Sequence, residues 1–512
     1  MITTSANYKK YVSFFLASFI VFCFIFTSCK KKRSEIATLL YTKTQNKVFK
    51  NADPDDFADV FQKVLADESS KLTYPQLIAS YYSQNDYEPT FLIQHLQNDD
   101  LKTLTAYYDR ASEHGLDPKM FQTEQIKALV NKFYSKNGIK TLSEGYQDMA
   151  QLEILIANSL INYSNDLQYG VINPKKIYSR YFMVTKRPDS TAMQQVFAIK
   201  SFKTYLDSIQ PKDPQYLALQ KALASGSTAP GLSQEETKRI LIINLERLRW
   251  KNKPTENKYV LVNIPDFHLD VMDSGKSVLG MKVCVGQGRN MHYTKSLVHF
   301  DDTDKYDKPL GHETPLLNSK IYMVQVNPVW NIPESIANKE IIKAAADDPY
   351  YLSNKNIDVY KNDVKIDPDG IDWSTVDKSE YTFKQEPGED NSLGKIKFLF
   401  PNKSSVYLHD TPAKDPFKLS MRAVSHGCVR LGNPQGLALA LFGQGDDYDT
   451  ITKDMAADNP APTDIDLPRK VAVYITYITA WPDSTGTIQY RPDVYGQDIV
   501  LYAHLEKAVG AD

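Results

Sequence analysis

The chain has 512 residues, 42% of them hydrophobic and 24% charged, with a formal net charge of −2. That length exceeds what one hydrophobic core organises, so two or three domains are expected. The charge balance argues against a nucleic-acid binder, which would show a basic excess, and four cysteines are too few for a fold stapled by disulfides.

Near the N-terminus Lys9 and Lys10 precede "YVSFFLASFIVFCFIFTS", Tyr11 to Ser28, which carries no charge, and then come Cys29 and the basic run Lys30 to Arg33. A short basic region followed by an apolar run of this length reads as an export signal. Its end, "FTSC", has the small residues of a lipobox, so residues 1–29 are expected to be a signal peptide with Cys29 diacylated after cleavage. An uncleaved membrane anchor is the alternative, because such a segment can just span a bilayer. The basic run after the segment argues against a simple anchor with its C-terminus outside. Either way the expectation is a membrane-tethered protein facing the periplasm. With Cys23 in the signal and Cys29 lipidated, Cys284 and Cys428 are the cysteines left to the body of the protein.

Residues 34–250 read as mainly helical. "QLEILIANSLINYSNDL" has long apolar stretches without Pro or Gly, and "SQEETKRILIINLERLRW" opens on Ser233 with Glu236 three residues on, a capping-box signature. Leu241, Leu245 and Leu248 then fall on one helical face. This half holds no cluster of catalytic residue types and is read as scaffold. After the polar linker "KNKPTENK" the period changes to two. Phe267, Leu269 and Val271, the turn Asp273-Ser274-Gly275, and Met281, Val283 and Val285 predict a β-hairpin, with Cys284 on its other face as a small packing residue. Residues 286–318 read as a polar surface loop whose His292 and His312 lack metal-ligand spacing. "KIYMVQVNPVWNIP" returns to strand, "SIANKEIIKAAADD" to helix, "KIKFLF" and "SSVYLHD" to strands joined by "PNKS", and "KVAVYITYITAW" to a last strand.

"SHGCVR", Ser425 to Arg430, is where chemistry concentrates. Cys428 has four readings on the residues alone: a buried small residue, a disulfide partner of Cys284, a zinc ligand with His409 and His426, or a nucleophile. The stretch is polar and kinked by Gly427, unlike an apolar strand, and no CxxC or HExxH accompanies it. His409 ends a strand that Asp410-Thr411-Pro412 breaks, a placement that projects a base into a cleft from a rigid support. A free thiol with a pKa near 8.5 is only a few per cent thiolate at neutral pH, so a nearby imidazole that accepts its proton is what acyl-transfer chemistry requires. Gly427 allows a backbone conformation that aims two amides, its own and that of Cys428, at one point as an oxyanion hole, where one donor is typically worth about 100- to 1000-fold in rate.

The fifteen residues between His409 and Ser425, the motif Ser425-His426-Gly427-Cys428 with a basic residue after it, and the upstream "YLHDTP" resemble the L,D-transpeptidase (YkuD-like) signature. "NLERLRW", "VNIPDFHLDVMDSGK", "NPVWNIPESIANKEI", "QEPGEDNSLGKIKFLFPN" and "ITYITAWPDSTGTIQYRPDVYGQD" are similar to the long multidomain, YcbB-like subgroup. "YYSQNDYEPTFL" and "HGLDPKMF" are similar to its N-terminal scaffold domain. The resemblance implies an α+β multidomain fold: a helical scaffold domain over 34–250, and a β-rich catalytic domain over 257–505 with 336–392 as a capping insertion. It implies Cys428 as nucleophile, His409 as general acid/base, the Asp410 backbone as orienter of His409, and the Gly427 and Cys428 amides as oxyanion hole. Arg430, Tyr407 and Trp330 match positions lining the donor site, and Ser425 and His426 belong to the motif, His426 in a structural part.

The implied substrates are peptidoglycan stem peptides, with no cofactor and no metal. Cys428 would attack a stem tetrapeptide, release D-Ala, and pass the acyl group to a diaminopimelate side-chain amine, giving a 3→3 cross-link. Water as acceptor would make a carboxypeptidase, and a protein lysine a wall-anchoring enzyme; carbapenems are expected to acylate Cys428. Two departures stand out. The small peptidoglycan-binding helical module often found between scaffold and catalytic parts is missing, since "QKALASGSTAPGLSQEET" runs straight into "NLERLRW", and the 288–314 segment is longer than expected. Two rivals remain. Ser392-Leu393-Gly394-Lys395 fits the S-x-x-K of serine penicillin-binding proteins, but no K-T-G accompanies it. A non-enzymatic wall-binding lipoprotein is disfavoured by the intact His409 and Cys428.

Overall fold

The computed structural model describes residues 34–96, 100–136, 138–288, 307, 309, 311–458 and 460–510. The expected signal and lipobox, with Cys23 and Cys29, and His292 of the polar loop lie outside the described residues. Among the described residues no helix is long and apolar enough to cross a membrane.

The chain divides into two compact units that interleave along the sequence. One takes residues up to Tyr108, Phe121–Asn162 and Ser190–Tyr205; the other takes Asp109–Met120, Tyr163–Asp189 and everything from Leu206. The first unit is helical and its core is aromatic. Phe61 meets Tyr82 edge to face at 4.7 Å between ring centroids, and Tyr81 stacks on Phe197 at 3.7 Å. Its fully buried carboxylate, Glu153, has a local explanation. The helix Thr90–His95 starts at Pro89, which offers no side-chain cap. Glu153, from the long helix Leu142–Tyr169, supplies the missing acceptors: it takes the Phe91 and Leu92 amides at 2.8 and 3.0 Å and the Tyr82 hydroxyl at 2.8 Å. Burial pushes its pKa up to about 7 against those hydrogen bonds.

The second unit contains the helix Gln234–Arg249, whose predicted capping box is present: Ser233 Oγ accepts from the Glu236 amide and Glu236 accepts in return from the Ser233 amide. Among the described residues sixteen strands form three sheets, and the first fourteen in chain order make the two larger ones. These are β1 (Tyr181–Phe182), β2 (Lys258–Asn263), β3 (His268–Asp273), β4 (Lys276–Gly286), β5 (Leu316–Val326), β6 (Trp330–Asn331) and β7 (Ile357–Lys361). After them come β8 (Val364–Ile366), β9 (Tyr381–Gln385), β10 (Ile396–Leu399), β11 (Leu408–His409), β12 (Ala423–Ser425), β13 (Val429–Leu431) and β14 (Thr463–Thr476). The predicted hairpin is β3–β4, turned by Ser274 and Gly275, both at positive φ. The main sheet runs β1-β5-β10-β11-β13-β4-β3-β2-β14, with β12 on β4, and it closes because β14 pairs β2 on one side and β5 on the other. Val283, Val324, Phe398, Leu408 and Val429 point into the enclosed core, so their alternate neighbours form the outer face.

Residues between β5 and β10 build a second sheet, β6-β9-β7-β8. It has its own core from Ile341, Ile342, Val359, Trp373 and Phe383. The helical stretch Glu334–Asp347 contains a π turn at Ala337–Ile341.

Two expectations need correction. The strand expected over 404–410 is only Leu408–His409, because the Asn402 side chain bonds the backbone of Phe400, Ser404 and Val406 and folds that stretch into a tight loop. The polar loop expected over 286–318 ends early: β5 starts at Leu316, and Glu313 and Thr314 are buried. Ser392 and Lys395 occupy the turn that enters β10.

Removing the Glu153 carboxylate strands two buried amides and a buried phenol. Glu153→Ala is expected to cost about 3 kcal/mol, and Glu153→Gln, which keeps one acceptor, clearly less, measured by chemical denaturation.

Candidate active site

The site lies on the outer face of the main sheet, where the strand order brings distant segments side by side. β11 pairs in parallel with β13, setting His409 opposite Arg430 and Leu408 opposite Val429. Leu408 and Val429 are buried in the core, so His409 and Arg430 are committed to the other face.

His409 is buried, and its Nδ1 lies 2.5 Å from the Asp410 carbonyl oxygen. A carbonyl only accepts, so Nδ1 carries the hydrogen and Nε2 is left as the basic nitrogen. Burial first, and then the charge of Arg430, push the His409 pKa down to about 4. The ring is therefore neutral at physiological pH, and protonating it below about pH 6.5 works against the folded state. Asp410 is fixed in turn: its carboxylate accepts from the Lys395 amide at 3.0 Å and from Lys414 Nζ at 2.7 Å, and its amide donates to the Ile396 carbonyl. Gly394 lies against that carboxylate so closely that a Cβ there would sit 2.4 Å from it.

Cys428 ends the turn between β12 and β13. Gly427 makes the turn with φ +117, a conformation other residues rarely adopt. Ser425, buried, donates to the Cys428 carbonyl at 2.6 Å and accepts from the Gly427 amide at 3.2 Å. The Gly427 amide, expected in an oxyanion hole, here donates within the turn to Ser425 Oγ. Thr314 braces the same turn, accepting from the Gly286 amide and donating to the Gly427 carbonyl, both at 2.8 Å, while Tyr495 bonds Thr314 and Gly286.

The half-buried Cys428 thiol has burial pushing its pKa up to about 11, opposed by hydrogen bonds from the Tyr407 amide and hydroxyl and by the cations Arg430 and Lys397. Tyr407 also bonds Trp330 of β6 and packs its ring edge-on to His409 at 5.7 Å. Arg430 Nε is buried with no hydrogen-bond partner among the described residues. Cys284, paired with Arg430 across β13–β4, is buried, and both it and Cys428 are free thiols. His426 turns to the inserted sheet's helix: its Nε2 lies 2.6 Å from Glu340 Oε1, and its ring packs on His312 at 4.6 Å. Among the described residues no three His, Cys, Asp or Glu side chains converge as metal ligands.

The structure thus gathers Trp330, Tyr407, His409, Asp410, Ser425, Gly427, Cys428 and Arg430 in one place, with His426 facing Glu340. Sequence reading missed Thr314, hidden in a stretch taken for solvated loop, and Lys397, whose only signal was its alternation with Ile396 and Phe398.

A thiol held near 11 is about one part in ten thousand thiolate at pH 7. Alkylation of Cys428 by iodoacetamide, followed on its own peptide, is expected to rise with pH through 9 without levelling. A plateau near pH 7 would show a preformed thiolate.

A scaffold-domain family model matches residues 76–223, and an L,D-transpeptidase catalytic domain (YkuD) matches residues 257–447. The chain is similar to a Haemophilus influenzae protein named "Putative L,D-transpeptidase", with 26% identity over 435 residues, spanning 84% of this chain and 79% of that protein. The strand end bearing His409 and the turn bearing Cys428 both fall within the catalytic match, and with the scaffold match ahead of it the chain carries an L,D-transpeptidase catalytic domain behind a scaffold domain, the YcbB-like architecture.

Proposed function

We propose that the protein cross-links peptidoglycan through a Cys428 acyl-enzyme. The observation that carries this reading is Tyr407, whose two donors reach the Cys428 thiol while its ring packs on the neutral imidazole of His409, itself tied through Nδ1 to the Asp410 carbonyl. The Cys428 proton passes to His409 Nε2 as the sulfur attacks the carbonyl next to terminal D-Ala in a stem tetrapeptide. With the Gly427 amide engaged, the Cys428 amide and the Tyr407 hydroxyl are the donors for the oxyanion. The tetrahedral intermediate collapses, the leaving D-Ala nitrogen takes the proton from His409, and a thioester remains. The diaminopimelate side-chain amine of a second stem attacks the thioester and gives its proton to His409, which passes it to the departing Cys428 sulfur, leaving a 3→3 cross-link and a free thiol.

Arg430, a half-buried cation whose buried Nε has no partner among the described residues, suits a stem carboxylate. Trp330, through its bond to Tyr407, suits the wall of the donor subsite. Ser425 and Thr314 keep the turn in shape, and His426 holds the turn to Glu340 of the capping insertion. Export and a lipid or anchor at Cys29 would place this chemistry at a membrane facing the periplasm, within reach of the wall.

Cys428→Ala is expected to abolish dimer formation from tetrapeptide muropeptides, and His409→Gln to slow it about 100- to 10,000-fold. Cross-linking that survives Cys428→Ala would end the acyl-enzyme reading. Tripeptide without dimer would assign a carboxypeptidase, and transfer to a protein lysine a wall-anchoring enzyme. Intact-mass measurement after meropenem is expected to show one adduct, mapped to Cys428 and missing from Cys428→Ala.

A further inference from the structure

Cross-strand pairing lines up one residue from each of six strands on the outer face. Asp464 stands opposite Gln325, Gln325 opposite Lys397, Lys397 opposite His409, His409 opposite Arg430, and Arg430 opposite Cys284. Directly opposed residues project from the same face, so Lys397 and Arg430 flank His409 from its two sides. Lys397 is half-buried, with Nζ 5.6 Å from the centroid of the Tyr407 ring. Tyr407 is the residue whose hydroxyl reaches the Cys428 sulfur.

The geometry points to Lys397 as a positioning residue for the reaction: a second cation that, with Arg430, stabilises the Cys428 thiolate as it forms. This rests on Cys428 being the nucleophile. Burial and two neighbours act on Lys397 itself. Its surroundings pull its pKa below the ordinary lysine value, burial doing most of this, while Asp464 and Cys428 favour the charged form. Asp464 is held in place by Gln325 Nε2, which donates to its Oδ1 at 2.6 Å. The groups acting on the Cys428 sulfur are then Lys397 from β10, Tyr407 just ahead of β11, and Arg430 from β13, with His409 beside the Tyr407 ring. His409 is neutral and uncharged in this balance, which leaves the two cations as the sources of positive field. A lysine in a strand also has a bland role, covering apolar surface with its stem. A covering role needs neither the charge nor its distance to sulfur.

The test uses the full chain and iodoacetamide, with carbamidomethylation read on the Cys428 peptide between pH 7 and 9. Losing a cation that favours the thiolate raises the thiol pKa, so Lys397→Met is expected to alkylate at least about threefold more slowly at every pH. Lys397→Arg, which keeps the charge, is expected to stay within about twofold of the unaltered protein, and Asp464→Asn to fall between. Circular dichroism establishes folding of each variant; should Lys397→Met not fold, Lys397→Gln replaces it. A neutral variant that alkylates as fast as the unaltered protein, or a Lys397→Arg as slow as Lys397→Met, overturns the assignment. Because alkylation reads the thiol directly, that failure is distinct from failure of the acyl-enzyme reading, which would appear as cross-linking in Cys428→Ala.

Discussion

The pairing of two residues of β11 with two of β13 is the constraint on which the chemistry of this protein depends. Leu408 and Val429 are driven into the core, and side chains alternate along a strand. Their burial therefore forces His409 and Arg430 outward together. A slip of one residue would turn the imidazole and the guanidinium into the apolar core and two aliphatic side chains to the outer face, a cost the core does not permit. The hydrophobic effect thus sets the position of a base and a cation that have no share in it.

Around that register the site is built to be neutral at rest and charged only in passing. Burial disfavours charge on both Cys428 and His409, so neither holds an ion in the free enzyme. The counterweights are fixed in advance: two donors of Tyr407, an unpartnered Arg430 nitrogen and a carbonyl that fixes one imidazole tautomer. Groups oriented before the reaction need no reorganisation during it, and a half-buried site keeps their fields from being screened by water.

Local signals carried much of this into the sequence. "SHGCVR" marks a turn because only glycine fits its middle easily, the β3–β4 hairpin declares itself by alternation and a Ser-Gly turn, and the Ser233 capping box fixes a helix start. The rest depends on which strands meet. Nothing near Lys397 in the chain tells that His409 will lie across from it, and nothing in "GHETP" tells that Thr314 will brace Gly427. Asn402 misled in the opposite direction, since its side chain overrode an alternating pattern that otherwise reads as strand. The interleaving of Asp109–Met120 and Tyr163–Asp189 with the second unit is likewise a matter of tertiary packing that periodicity does not register.

The inserted sheet leaves and rejoins its host at a single rung. Val326 pairs with Ile396, and the Asn327 amide meets the Lys395 carbonyl at 2.8 Å, so a short hairpin loop would close the same two strands. With a core of its own, the insertion can lengthen, shrink or be exchanged between relatives without shifting any register beneath it. Its ties to the site are then few and nameable, the bond of Trp330 to Tyr407 and that of Glu340 to His426, so the rest of the insertion is free to vary while those two side chains are held.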